Sequence, residues 1–175
     1  KEYGHSLGHD PAYADKARRV ADLTRDLSEL LPDLVPALRD RMVLARPAGQ
    51  RGSGADVSPP GSAMRLAYHP PCTLQHGQQL RGGVETHLRE LGFDIRVSAN
   101  ESHLCCGSAG TYSVLHPELA LPLRDRKLGH LAALEPEVIV SANIGCIQHL
   151  QSGTPTPVRH WVEILDEALD AARAA

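Results

Sequence analysis

Aromatic side chains are scarce in this 175-residue chain, at 3% with one Trp and one Phe. That scarcity leaves little for stacking bases or sugars, and a core must be built from aliphatics. Positive charge is not in excess either: the net charge is -3, which excludes the electrostatic footprint of a nucleic-acid binder and a polybasic membrane anchor. No long apolar run exists. The longest uncharged stretch, 138–158, is broken by Asn143, Gln148, His149, Gln151, Gly153, Pro155 and Pro157, so no transmembrane segment is expected. Also missing are an H-E-x-x-H helix, a complete G-x-G-x-x-G and a C-x2-C knuckle, which leaves metalloprotease, nucleotide-loop and zinc-finger readings unsupported. The chain opens Lys1-Glu2-Tyr3-Gly4 with no initiator Met and no signal-peptide pattern. The expectation is a piece of a longer cytoplasmic protein.

What is present is four cysteines, and the pattern around them. Cys105 and Cys106 are adjacent and followed by Gly107-Ser108-Ala109-Gly110-Thr111, while Cys72 and Cys146 flank the pair in sequence. In a reducing compartment, clustered cysteines point to metal or redox chemistry more than to structural disulfides.

An N-cap and proline at Asp10-Pro11, followed by Tyr13, Ala17, Val20, Thr24, Leu27 and Leu31, predict one amphipathic helix ending near Leu31-Pro32. A Gly-, Pro- and Ser-rich run then reads as a linker. The expected division is a helical extension over 1–46, a linker over 47–62 and a main domain over 63–175. From residue 64 onward, short apolar runs alternate with helical periodicity. This predicts an α/β fold, a Rossmann-like open and mostly parallel sheet of about four strands flanked by helices. The candidate strands are 64–69, 93–97, 138–142 and 158–160. Helices are expected along the stripe Leu80, Val84, Leu88, Leu91, over 118–134, and from Trp161 to the end.

Each cysteine group follows a candidate strand: Cys72 the first, Cys105 and Cys106 the second, Cys146 the third. Thirty-two residues separate Cys72 from Cys105, and 39 separate Cys106 from Cys146, enough for one helical crossover each. In an open parallel sheet the carboxyl ends of the strands share one edge, so three loops would deliver four thiols to one crevice. Four thiolates in one pocket repel unless a cation compensates them. Soft sulfur selects Zn²⁺, Cu(I) or an iron-sulfur cluster. Gly107, Gly110 and Gly145 let backbone N–H groups approach a bulky guest, with Ser108 and Thr111 as short donors, which favours the cluster.

The motifs Tyr68-His69-Pro70-Pro71-Cys72, Cys105-Cys106-Gly107 and Cys146 resemble the cysteine-rich CCG domain of heterodisulfide reductase B subunits and related iron-sulfur oxidoreductases. Within that group, the stretch His103 to Tyr112, Leu123-Arg124-Asp125-Arg126-Lys127-Leu128, Ala142-Asn143-Ile144-Gly145-Cys146-Ile147 and Pro157-Val158-Arg159-His160-Trp161 resemble glycolate oxidase iron-sulfur subunits. The resemblance implies an electron-transfer module, the C-terminal part of such a subunit. It implies a cluster, of 4Fe-4S type, held by Cys72, Cys105, Cys106 and Cys146 beside Gly107. Its partners would be a flavin-containing glycolate oxidase subunit and the remainder of the iron-sulfur subunit, placing the assembly in the cytoplasm or peripherally at the inner membrane. On this reading the chain does no chemistry on substrate.

One departure stands out. Many CCG domains end in C-x-x-C, whereas here His149 follows Cys146 at the position of the second cysteine. If Cys146 opens a helical turn, His149 shares its face and is an additional candidate ligand. Two alternatives remain beside the cluster: a zinc-binding structural module, and a thiol-disulfide reductase using Cys105 and Cys106. The plain readings are structural histidines at His69, His76 and His103, and a solvated or partner-docking helix face at Arg124-Asp125-Arg126-Lys127.

Overall fold

The computed structural model describes residues 1–44 and 64–174, and the expected linker lies outside them. The chain divides into two compact units, Lys1–Asp33 and Leu34–Ala175.

The first unit contains α1 (Tyr3–Ser6) and α2 (Ala14–Leu23). The helix expected to run on to Leu31 stops at Leu23 instead. Thr24 turns extended with ψ 122° while its hydroxyl donates to the Val20 carbonyl oxygen at 2.7 Å. A capping box then starts a separate 3-10 turn over Leu27–Glu29: the Asp26 carboxylate accepts from the Ser28 N–H, and Glu29 accepts from the Asp26 N–H. Leu31-Pro32 begins α3 (Leu31–Leu44) rather than ending a helix. A proline in the first turn gives up an N–H that has no intrahelical acceptor anyway, so Pro32 is a start signal. Of the apolar stripe, Ala17 is buried, but Tyr13, Val20 and Leu27 are exposed.

The second unit carries the sheet. Strands β1 (Arg65–His69), β2 (Asp94–Val97), β3 (Val138–Ser141) and β4 (Val158–His160) agree with the expected segments to within a residue. They lie in the order β2-β1-β3-β4, and all three pairings are parallel. Helix α4 (Gly83–Glu90) links β1 to β2; α5 (Tyr112–Leu115) and α6 (Pro117–Ala132) link β2 to β3; α7 (Ile144–Gln151) links β3 to β4; α8 (Trp161–Ala174) closes the chain. Leu80 lies ahead of α4, its N–H bonded to the Leu74 carbonyl at 3.0 Å. Val84 and Leu88 form the buried stripe, and Gly92 ends the helix in the left-handed region at φ 93°. In α6, Pro117 takes the N-terminal position and Pro122 sits in the interior.

Alternation along the strands sorts the two faces. Ala67 and Ile139 join Leu128, Leu131, Ile147, Leu150 and Val158 in one buried cluster, with Cys106 and Cys146 as members of it. His69, two residues beyond Ala67, points to the same face. The order β2-β1-β3 matters because the chain leaves β1 to one side and returns on the other. The switch point of the fold therefore lies between the carboxyl ends of β1 and β3.

Candidate metal centre

Three connections reach that edge. Directly after β1, Pro70 and Pro71 lead into Cys72, which caps a π-helical turn over Thr73–Gly77. After β2 the chain runs through Glu101 to Cys105 and Cys106. After β3, Asn143 caps α7, its side-chain oxygen accepting from the Cys146 N–H at 3.2 Å. Cys146 thereby sits in the first turn of a helix whose N-terminus favours a thiolate.

The loop bearing the paired cysteines is held tightly. Gly107 adopts φ +91°, and a Cβ there would lie 2.4 Å from the Ala120 carbonyl oxygen. Only glycine fits that approach. Gly145 is close to Ser108, whose Oγ would be 2.9 Å from an added Cβ. The Gly107 N–H donates to Cys105 Sγ at 3.3 Å, as the run of small residues led one to expect.

All four cysteines are free; Cys106 and Cys146 are buried, Cys72 and Cys105 half-buried. They influence one another as a connected row. Proton sharing with Cys106 and with Cys72, helped by the Gly107 N–H, holds the Cys105 thiol far below its ordinary range. Proton sharing with Cys106, and after it the neighbouring His69, likewise brings Cys146 down to about 5, against the opposing effect of burial. Cys72 and Cys106 move the other way: the neighbouring thiol, Cys105 in both cases, and burial push them up. Four sulfurs that share protons in this way form a donor set for a soft cation, and metal uptake would expel those protons.

The surroundings of His69 differ from those of an ordinary structural histidine. It is fully buried, and neither ring nitrogen has a hydrogen-bond partner. Its ring nitrogen and the sulfurs of Cys106 and Cys146 all lie within 4.8 Å of one another. A buried imidazole left unsatisfied costs about 1–3 kcal/mol. Period-2 alternation from Ala67 could have flagged it. His149 is placed elsewhere: its Nε2 lies 3.4 Å from the Ala120 carbonyl oxygen on α6, and it is not in the 4.8 Å group.

Lys127 is the second surprise. In sequence the run Arg124 to Lys127 reads as a solvated or partner-docking face, and Arg126 is exposed, paired with Glu101. Lys127, however, is only 1% exposed. A helix turns 100° per residue, so neighbours in one charged run point apart. Its Nζ donates to the carbonyl oxygens of Glu101 at 2.7 Å and Ser102 at 3.3 Å. No carboxylate among the described residues pairs with it. Burial lowers its pKa, and electrostatic interaction with the cysteine row, Cys72 first, and with Glu101 opposes that shift. A buried cation without a carboxylate is explained by anionic charge at the thiols.

Donor set, buried cation and small-residue cradle all suit an anionic, sulfur-ligated metal group. Residues 66–151 match the family model of the cysteine-rich domain CCG. The chain is 47% identical over 170 residues to the glycolate oxidase iron-sulfur subunit of Escherichia coli (strain K12), covering 97% of this chain and 37% of that protein. It is 28% identical to lactate utilization protein A of Geobacillus thermodenitrificans (strain NG80-2), over 95% of this chain and 64% of the relative. The same protein of Geobacillus kaustophilus (strain HTA426) is also 28% identical, with the same coverage.

Proposed function

We propose, from the premise that residues 66–151 belong to the cysteine-rich CCG family, that this chain is an iron-sulfur electron-transfer module of a glycolate-oxidising complex. Cys72, Cys105, Cys106 and Cys146 hold the cluster, which is of 4Fe-4S type. When bound, such a cluster accepts and passes on single electrons. The chain's own groups do the rest. Gly107 lets the backbone reach a sulfur, Lys127 balances negative charge, and the aliphatic cluster behind Cys106 and Cys146 keeps water away.

The observation that carries this reading is the delivery of four thiols by three separate loops to the switch point of a parallel sheet. The similarity to a glycolate oxidase iron-sulfur subunit supplies the context. In that context a flavin-containing subunit is the electron donor, and the rest of the iron-sulfur subunit carries electrons onward. The setting is cytoplasmic, with peripheral attachment to the inner membrane through partners; no helix among the described residues is long and apolar enough to cross a membrane. The division into extension 1–46, linker 47–62 and cysteine-rich domain 63–175 goes with it.

Anaerobic reconstitution with iron and sulfide tests the reading. The expected result is about four iron and four sulfide per chain, visible charge-transfer absorbance and a paramagnetic signal on reduction. Chains that take up neither iron nor sulfide overturn it. A second reading, structural zinc, is favoured by the compactness of His69, Cys106 and Cys146, whose donor atoms fit around one ion. It predicts stoichiometric zinc and a colourless, redox-silent protein.

A further inference from the structure

We infer that, when the thiols hold a single ion, His69 is a direct ligand of the metal that Cys106 and Cys146 bind, making this a mixed sulfur-nitrogen site rather than an all-cysteine one. The inference rests on the reading that these thiols bind metal, and goes beyond it in the identity of the donors.

His69 is wholly buried with neither ring nitrogen hydrogen-bonded. Other histidines in this chain are provided for: His130 meets Glu101 at 2.8 Å, His87 meets Glu90 at 3.1 Å, and His160 accepts the Val162 N–H at 3.2 Å. Among the described residues, only His69 carries unsatisfied side-chain nitrogens into the interior, and its donor atom lies within 4.8 Å of two buried sulfurs. Imidazole and thiolate together suit Zn²⁺ and iron. A metal bond at one ring nitrogen removes the penalty of burying an unpaired acceptor.

The backbone around His69 is fixed for this purpose. His69 is the last residue of β1 and is paired in register with Ser141. The Ser141 hydroxyl donates to its carbonyl oxygen at 2.9 Å, and Pro70 directly after it confines it to extended conformations. A side chain so placed has little freedom to turn away from Cys106 and Cys146. The thiol missing at position 149, on α7, then has a substitute from β1. His149 is turned toward the Ala120 carbonyl oxygen and is not part of the donor group.

The test uses Zn²⁺ alone as the probe, added anaerobically to the reduced 175-residue chain, with X-ray absorption reading the donor shell. Imidazole scattering is expected in the wild type and in His149→Leu, and absent from His69→Leu. Zinc affinity by chelator competition should fall on the order of 100-fold in His69→Leu and stay within about threefold in His149→Leu. Should His69→Leu fail to fold, His69→Cys retains a ligand, and its shell should lose imidazole and gain one sulfur. An all-sulfur shell in the wild type, imidazole scattering that survives in His69→Leu or His69→Cys, or no zinc binding by the wild type overturns the inference. The iron and sulfide reconstitution is read separately. Imidazole-ligated zinc without any cluster removes the electron-transfer reading and leaves His69 a ligand, whereas a cluster with an all-sulfur zinc shell does the reverse.

Discussion

The two ends of β1 are built on opposite principles. At the Arg65 end, the Arg65 N–H meets the Glu137 carboxylate at 2.8 Å, the Glu137 N–H returns to the Arg65 carbonyl oxygen at 2.9 Å, and the guanidinium reaches the Glu135 carbonyl oxygen at 2.8 Å. These groups meet solvent and one another, and no ligand is needed to complete them. Four residues on, His69 is buried with two unsatisfied nitrogens beside free thiols and, across the site, a cation without a carboxylate. The fold satisfies one end by itself and leaves the other for something else to satisfy.

Substitutions at the two ends should therefore separate metal binding from stability. The largest effect is expected for Cys106→Ser, which removes a buried soft donor from the middle of the row. Metal analysis after anaerobic loading should show a loss of bound metal on the order of 100-fold in affinity. Retention of full metal by this variant would break the comparison at its centre. Gly107→Ala should strike both properties, since the new Cβ meets the Ala120 carbonyl oxygen at a φ of +91°. A destabilisation of about 2–4 kcal/mol by chemical denaturation is expected, together with impaired loading.

Lys127→Met sharpens the comparison because it removes the cation and keeps the bulk. The reduction potential of the loaded protein should drop by on the order of tens of millivolts, since a nearby positive charge favours the reduced form. In metal-free protein the same change should alter stability by less than about 2 kcal/mol, because the lost hydrogen bonds are offset by relief of a buried charge. Glu137→Ala at the other end should destabilise by about 1 kcal/mol and leave metal content unchanged.

The smallest effect concerns Glu101, whose carboxyl is lowered by Arg126 first and His130 second. A carboxylate depressed in the folded state contributes stability above its unfolded pKa, and loses it as pH falls through the folded one. The melting-temperature gap between wild type and Glu101→Gln should therefore be present at neutral pH and close on acidification.

Much of the sheet was legible in the sequence, because short apolar runs between helical stripes leave few architectures that bury both. The helix ends near Pro32 were misjudged, since proline marks starts and stops alike and only the Asp26 capping box decides between them. Lys127 was misjudged for a related reason. A run of four charged residues reads as one face, yet successive residues on a helix point in different directions, and the inward one is chosen by what packs beneath it.

The sequence by itself determined that three strand-terminal loops carry four thiols, because cysteine positions and strand periodicity are both local properties. Which other side chains join them was decided by the tertiary structure. His69 and His149 look alike in sequence, one three residues before a cysteine and the other three after. Strand register carries the first into the thiol cluster, and helix packing turns the second toward Ala120. The switch in strand order between β1 and β3 then makes a crevice of what would otherwise be separate loops.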